Sequence, residues 1–377
     1  MNAIRKVNIR SNAIIKKANS DSFGLNHLRS LIVGSTMLDT LCFTGNEYKH
    51  IPLITILNLL ASLQTYSDRR ITDTQRNQIR FLSLREISCF EDCSNISPMG
   101  LACLEVLHIY WQRWSDRVRS DMGRHPSKTT CEVLGKMIKA ARYTLQSLKI
   151  DFSGKTKILT NFDIWMLVGD EGDAGAWKKL RKLRVTISID CGSLFHDIVG
   201  TLEAIADIFP NLETLELMID APTYYDTTKY TPRILSPLSK LKSLHCLKLA
   251  LDFERGTNDE HNRNIDLKLY NRCLHRRYAA TQAIVNVCPL TRCYWKNHFR
   301  DGILKENNKF YRFVVGNESG AGKPDDFDSS QKAGNRVVKT KMLWWMEQRR
   351  KCELGDDLPC EVVGSDEEEY MTSDSDE

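Results

Sequence analysis

A glycine-rich segment late in the chain has the residue types and spacing closest to a known chemical motif. Residues 316–323 read GNESGAGK and follow a predicted strand, as in the phosphate-binding loop of a nucleotide-dependent enzyme. Such a loop binds phosphate through backbone N–H groups and Mg²⁺ through a hydroxyl that follows the lysine. Here Asn317 stands at the first required glycine, and Pro324, which has neither hydroxyl nor N–H, follows Lys323. The segment therefore favours a plain exposed loop and does not predict an enzyme.

Cysteine and histidine give no stronger indication of catalysis. Cys89 and Cys93 are four residues apart, but a zinc site needs four ligands, usually as two such pairs, and only Cys103 lies nearby. The 9 histidines are scattered, without the spacing of a nucleophilic or zinc-protease motif. We therefore expect no catalytic residue, no metal and no cofactor.

The elements that would position any functional side chain are predicted by a repeated phrase. Each copy has an apolar residue, two variable residues, and then an apolar, a variable and an apolar residue, as in LETLEL at 212–217. Further copies begin at Ile79, Leu104, Leu145, Leu180 and Leu244, with a weaker first copy at Leu28 and a degenerate last copy at 288–295. Side chains alternate along a strand, so the last three residues of each phrase predict a short strand with one buried face. Repetition of such strands, at uneven spacing, indicates a leucine-rich-repeat solenoid.

Helices are predicted between these strands. Apolar residues recur at helical intervals in three stripes, which are 194, 198, 202, 205 and 209; 133, 134, 137, 138 and 141; and 270, 274, 278, 281 and 285. Leu180, Leu212 and Leu244 are 32 residues apart, longer than the roughly 20–29 residues of ordinary leucine-rich repeats, which leaves room for a helix. The expected fold is therefore an irregular α/β leucine-rich-repeat solenoid, with short parallel strands on the concave face and helices on the convex face.

The pattern also predicts the domain organisation. Residues 1–315 form the solenoid, whose first strand is expected at 7–10, with inserted loops and helices at 34–78, 111–131 and 220–236. Residues 316–352 form a loop and an apolar segment, 337–345, that folds back as a cap. Residues 353–377 are expected to be an acidic, disordered tail.

The candidate binding site follows from the alternation of side chains along each strand. The residue between the two apolar strand positions points to the concave face. That row reads Ser83, His108, Lys149, Arg184, Glu216, Lys248 and Tyr294, and the row beside it reads Arg85, Tyr110, Asp151, Thr186, Met218 and Ala250. The middle of the row is cationic with an aromatic flank, so we expect it to bind an acidic segment of a protein partner. The alternative is that these are solvated strand positions that contact no partner.

A denser basic cluster lies at 178–184 and could contact phosphate. No aromatic residues are interleaved with it, and no nucleic-acid-binding motif accompanies it. Nucleic acid is therefore not an expected partner.

Charge is spread unevenly along the chain. The formal net charge is +5, and residues 364–377 contain seven acids and no Lys or Arg, which leaves +12 on the remainder. Ser365, Ser373 and Ser375 lie among these acids and suit an acid-directed kinase. The expectation is that phosphorylation of the tail modulates binding at the basic body, and the alternative is a tail that only solubilises the protein.

Composition predicts the compartment. No apolar run reaches the roughly 18–20 residues that span a bilayer, and no signal peptide is evident at the start. The 12 cysteines suit a reducing compartment, and we expect Cys103, Cys246, Cys288 and Cys293 to be small buried hydrophobes. A monomer in the cytosol or nucleus, without membrane contact, is expected.

The phrases at 209–217 (FPNLETLEL) and 244–252 (LHCLKLALD), with the last copy at 288–290, resemble the F-box/leucine-rich-repeat-like proteins that are abundant in fungi. The resemblance covers about residues 25–315. It implies a substrate receptor of a cullin–RING ubiquitin ligase, in which an F-box docks the ligase adaptor and the repeats hold the substrate. An F-box is not visible before the first repeat, so we expect either a truncated gene model or a repeat protein without one. The first expectation is a non-catalytic protein-recognition scaffold, and the ligase receptor is the alternative.

Overall fold

A computed structural model gives the fold of this chain. It describes residues 6–10, 39–44, 51–52, 56, 79–85, 87–88, 103–112, 135–136, 138–153, 167, 177–188, 198–220, 229–251, 253, 267–296, 310–317, 336–343 and 360–363. The strands are β1 (Lys6–Arg10), β2 (Thr40–Thr44), β3 (Ile51–Pro52), β4 (Phe81–Arg85), β5 (Ile87–Ser88), β6 (Val106–Gln112), β7 (Ser147–Ser153), β8 (Lys182–Ser188), β9 (Thr214–Asp220), β10 (Cys246–Leu249), β11 (Arg292–Lys296), β12 (Phe310–Asn317), β13 (Arg336–Leu343) and β14 (Cys360–Val363). The helices are α1 (Ile198–Ile208), α2 (Leu235–Lys240), which follows a 3₁₀ turn (Pro232–Ile234), and α3 (Leu267–Val285).

The chain divides into two compact units. The first contains Met1–Leu212 and Met218–Asp226, and the second contains Glu213–Leu217 and Thr227–Glu377. In the first unit, β1, β2, β4, β6, β7 and β8 pair in that order, with every pair parallel. In the second unit, β9, β10 and β11 are parallel, β12 is antiparallel to both β11 and β13, and β14 is parallel to β13. The expected α/β class with mostly parallel strands is therefore confirmed.

The repeated phrase folds as its alternation requires. In the copy that begins at Leu145, the apolar residues Leu145, Leu148 and Ile150 are no more than 1% exposed, while Ser147 and Lys149 between them are half-buried on the other face. The other described copies repeat this pattern, including Cys293 and Trp295 of the degenerate last copy, both 0% exposed. Full burial of one leucine side chain contributes roughly 1.5–3 kcal/mol, so the three buried positions of each copy stabilise the fold.

A recurring main-chain contact aligns each strand with the next. The carbonyl of Asp39 accepts hydrogen bonds from the N–H groups of Arg80 (2.9 Å) and Phe81 (3.0 Å), just before and at the start of β4. The carbonyl of Arg80 accepts the same pair from Glu105 and Val106. The contact recurs at the carbonyls of Glu105 and Gln146 in the first unit, and at those of Glu213 and His245 in the second. Because each carbonyl receives two donors from the following repeat, the register of successive strands is fixed at their starts.

The helix predicted before the phrase at 212–217 is confirmed. Helix α1 buries Ile198, Leu202 and Ile205 on one face, and Pro210 follows its end. Phe209, directly after the helix, is 0% exposed and meets Trp177 edge-to-face at 5.4 Å between ring centroids.

The stripe that ends at residue 285 is also confirmed as helical. It lies on α3, where Leu274, Thr281 and Val285 are buried. In the stripe at 133–141, helical turns are described at 135–136 and 138–140, and Ile138 and Ala141 are 0% exposed.

The structure corrects two sequence predictions. Strand β2 lies in the interval 34–78, where loops and helices were expected, and it pairs between β1 and β4 as a further repeat strand. Strand β14 lies within 353–377, where disorder was expected, because Val362 and Val363 align with Met342 and Leu343 of β13. The weak copy at Leu28, the glycine-rich loop at 318–335 and the segment from 364 onward lie outside the described residues.

The predicted strand at 310–315 is confirmed as β12, and β13 (Arg336–Leu343) covers most of the segment 337–345 that was expected to form a cap. Among the residues that the structure describes, no helix is long and apolar enough to cross a membrane.

Candidate functional site

The first four residues of the predicted row align strand by strand in the first unit. Ser83 of β4 stands opposite His108 of β6, His108 opposite Lys149 of β7, and Lys149 opposite Arg184 of β8. Their immediate neighbours along each strand, such as Leu107 and Ile109, are 0% exposed, so the row lies on the face away from the core. These four residues are called the first strip.

His108 lies at the middle of the first strip and is held neutral. Its ring meets Phe81 edge-to-face at 5.3 Å between centroids. Burial, followed by the positive charges of Lys149 and Arg184, lowers the pKa of His108 from 6.5 to about 4. At neutral pH the imidazole is therefore uncharged and offers one hydrogen-bond donor and one acceptor beside two cations.

Arg184 is held in place by a carboxylate of the neighbouring row. Its Nη2 atom donates to Asp151 Oδ2 at 2.7 Å, and the side chains of Arg184 and Asp151 are 21% and 12% exposed. Tyr110, the aromatic flank predicted from the sequence, aligns with Asp151 across β6 and β7 and is half-buried. The guanidinium is thus fixed before any ligand arrives, which reduces the entropy lost on binding.

The remaining members of the predicted row lie in the second unit. Glu216 of β9 aligns with Lys248 of β10, Lys248 with Tyr294 of β11, and Tyr294 with Arg312 of β12. We call these four residues the second strip. Lys248 Nζ lies 3.6 Å from Glu216 Oε2, with side chains 18% and 25% exposed, so part of its charge is balanced within the strip.

Arg312 was not among the residues predicted from the sequence. It lies on β12, which is antiparallel to β11 and carries no copy of the phrase. The sequence FYRFVV at 310–315 does not alternate apolar and polar residues, so only the pairing of β12 with β11 places Arg312 on the second strip.

Two positions of the adjacent predicted row differ in burial. Ala250 is 2% exposed and its N–H donates to Leu217 O at 2.9 Å, so it belongs to the core and offers no surface. Met218 is half-buried. The side chains of Arg85 and Thr186 lie outside the described residues.

The basic cluster at 178–184 is partly used for internal contacts. Arg181 Nη1 donates to Asn211 O at 3.1 Å, and Asn211 Nδ2 donates to Lys178 O at 3.0 Å. Arg181 therefore ties the loop before β8 to the segment after α1. Lys178, Lys179 and Lys182 are exposed.

Comparison with known proteins adds no relative to this picture. A scan against models of protein families finds no match. A search of curated proteins finds no significant match either. Any function proposed for this chain therefore depends on the geometry of the strips.

The cysteines differ in environment. Cys293 is 0% exposed and burial raises its pKa to about 12, and buried Cys288 donates from Sγ to Leu238 O at 2.9 Å. Both behave as the small buried hydrophobes predicted for them. Cys246 is half-buried, and Cys103 is exposed, which corrects the expectation of burial for Cys103. Cys89 and Cys93 lie outside the described residues.

Metal binding is not indicated by the described side chains. Within that part of the chain, no group of three or more His, Cys, Asp or Glu residues is placed to hold a metal ion.

Lys149 and Arg184 can pair with carboxylates, and neutral His108 can exchange a hydrogen bond with them. The arrangement suits binding of an acidic ligand.

Proposed function

We propose that this chain is a non-catalytic protein-recognition scaffold of the leucine-rich-repeat type, and that the first strip binds an acidic segment of a protein partner. The observation that supports the proposal most directly is the alignment of Ser83, His108, Lys149 and Arg184 on successive strands. Adjacent strands lie about 4.8 Å apart, so four neighbouring strands present a polar row roughly 14 Å long. Solenoids commonly bind their partners on such a surface.

The charges of the first strip favour an acidic ligand. Lys149 and Arg184 stand next to each other in register, about 4.8 Å apart at the backbone. Acidic residues at i and i+4 of a helix are about 5–6 Å apart, so one face of an acidic helix could present a carboxylate to each cation. Neutral His108 adds a hydrogen bond and no further charge. We therefore place the recognised acids next to each other on the partner.

Affinity capture of the full chain from its native cells tests the proposal. The strip variant is Lys149→Glu/Arg184→Glu, and the matched control is Lys178→Glu/Lys179→Glu, which reverses two exposed charges of the same unit away from the strip. A true partner should be captured by the unmutated chain and by the control, and lost with the strip variant. Capture of that partner by the strip variant at undiminished yield would contradict the proposal.

Lys248→Glu, tested separately, reports whether the second strip shares the same ligand. Loss of the partner with this variant would show that the second strip also contributes to capture, whereas retention would confine the site to the first strip. The same experiment addresses the role implied by the resemblance: recovery of a cullin–RING adaptor with every variant would make the chain a substrate receptor of that ligase.

We also propose a cellular compartment for this protein. A buried thiol that forms no disulfide, such as that of Cys293, is typical of a reducing compartment, so we propose that the protein is in the cytosol or nucleus. Phosphorylation at Ser365, Ser373 and Ser375 stays a prediction, which mass spectrometry of the native protein can test.

A further inference from the structure

The second unit carries a basic surface that the repeated phrase does not predict. Arg292 of β11 aligns with Val314 of β12, and Val314 with Lys339 of β13, in the row next to the one that contains Tyr294 and Arg312. Arg292 and Lys339 are exposed, Arg312 is half-buried, and the side chain of Arg292 hydrogen-bonds that of Tyr294. We call Arg292, Tyr294, Arg312 and Lys339 the basic face. It presents three cations around one aromatic ring within three neighbouring strands.

The segment that follows in the chain has the complementary charge. Strand β14 pairs with β13, and its last residue, Val363, stands opposite Leu343, four residues along β13 from Lys339. The next 14 residues, 364–377, contain seven acids and no Lys or Arg. We propose that the acidic segment 364–377 binds the basic face of the same chain.

The distances allow this contact. Arg312 aligns with residue 341, two residues before Leu343, and two strands from β14. At about 3.3 Å per residue along a strand and about 4.8 Å between strands, it lies roughly 12 Å from Val363. Lys339, four residues back on the adjacent strand, lies roughly 14 Å away, and Arg292 roughly 19 Å away by the same measure. An extended chain covers about 10 Å by Asp366 and about 20 Å by Glu369, so the first four acids reach all three cations.

Attachment to the same chain makes even a weak contact effective. A short flexible connection gives an effective concentration on the order of 1 mM. A dissociation constant of about 0.1 mM in solution would therefore leave the face occupied roughly nine-tenths of the time. The proposal concerns residues of the second unit and does not depend on binding of a partner at the first strip.

Zero-length carbodiimide cross-linking of the full chain tests the contact. The reagent joins a carboxylate to a lysine amine only where they touch, so the diagnostic product is an amide between Lys339 and an acid at 366–369. Equal amounts of unlabelled and ¹⁵N-labelled chain are mixed first, so that products within one chain differ in mass from products between two chains. We expect the product within one chain at low salt and its loss at about 0.5 M NaCl, where the Debye length falls to roughly 4 Å.

Two controls make the result specific. Arg292→Gln/Arg312→Gln leaves Lys339 as reporter and should lower the yield at least threefold, whereas Lys178→Gln/Lys179→Gln removes as much charge elsewhere and should not. Excess synthetic peptide of residues 364–377 should also suppress the product in the unmutated chain, independently of any effect of substitutions on folding. Products mainly between two chains, unchanged yield with Arg292→Gln/Arg312→Gln, or cross-links mainly to Lys178 and Lys179 would each overturn the proposal.

Discussion

Lowering the pH should destabilise the first unit through one side chain, His108. In the folded protein the pKa of His108 is about 4, because burial and the charges of Lys149 and Arg184 disfavour the imidazolium. In the unfolded chain the pKa returns to about 6.5. Below pH 6.5 the unfolded chain therefore binds a proton that the folded chain does not, and the equilibrium shifts towards unfolding.

The size of the effect follows from the two pKa values. Stability from this residue is fully present above pH 6.5, is lost as the pH falls, and is gone below pH 4. The full difference corresponds to about 3 kcal/mol. Between pH 7 and pH 5 the linkage relation gives a loss of about 2 kcal/mol. His108→Gln keeps a neutral polar side chain and removes the titration, so this variant should lack that part of the pH dependence.

Two measurements check this reasoning. Urea denaturation at pH 7 and pH 5, followed by circular dichroism, should show the unmutated chain losing about 2 kcal/mol more than His108→Gln. A ¹³C NMR titration of labelled histidines, assigned by the signal missing in His108→Gln, should give a folded-state pKa near 4. A folded-state pKa near 6.5, or the same loss of stability in both proteins, would refute the assignment of a half-buried, neutral imidazole.

Three further predictions concern the core and the thiols. Leu148→Ala removes a side chain that is 1% exposed and should lower the free energy of unfolding by about 2–5 kcal/mol in urea denaturation; a loss below about 1 kcal/mol would be too small for a packed core position. Trp295→Phe removes the indole N–H that donates to Thr281 Oγ1 at 2.8 Å and should cost about 1–3 kcal/mol; Thr281→Val also removes the bond from Thr281 Oγ1 to Arg277 O (2.7 Å), so the double variant should lose less than the sum of the two single losses, and full additivity would argue against the bond to Trp295. Iodoacetamide should alkylate exposed Cys103 in the native protein and buried Cys293 only after unfolding, as read by peptide mass mapping; native alkylation of Cys293 would contradict its burial.

The strands of the fold could largely be predicted because their physical cause is local. A strand with one buried face needs apolar residues at every second position, and that requirement is visible in the phrase itself. Strand β2 was missed although LDTLCF at 38–43 fits the phrase, with Phe43 at the last apolar position. Strand β14 could not be found in this way. It is four residues long and depends on pairing with β13, a contact between distant parts of the chain.

For the candidate site, the sequence could predict only which residues align with one another on neighbouring strands. Because one residue of each phrase occupies the same register position, the sequence predicts that His108, Lys149 and Arg184 share a row, and they do. The ion pair of Arg184 with Asp151 and the lowered pKa of His108 depend on which side chains meet across strands. Burial of Ala250 likewise reflects surroundings that the strand pattern does not encode.

The shared carbonyl at the start of each strand affects how such a chain can change over generations. Main-chain atoms alone make that contact, so at its donor positions it requires only an N–H group, which proline lacks. In β7, Leu148 and Ile150 lie in the core, whereas under the proposed function the outward positions beside them would contact a ligand. On that proposal, folding and recognition constrain different, alternating positions. A lineage could exchange one ligand for another by substitution at every second residue, one strand at a time, while the scaffold persists.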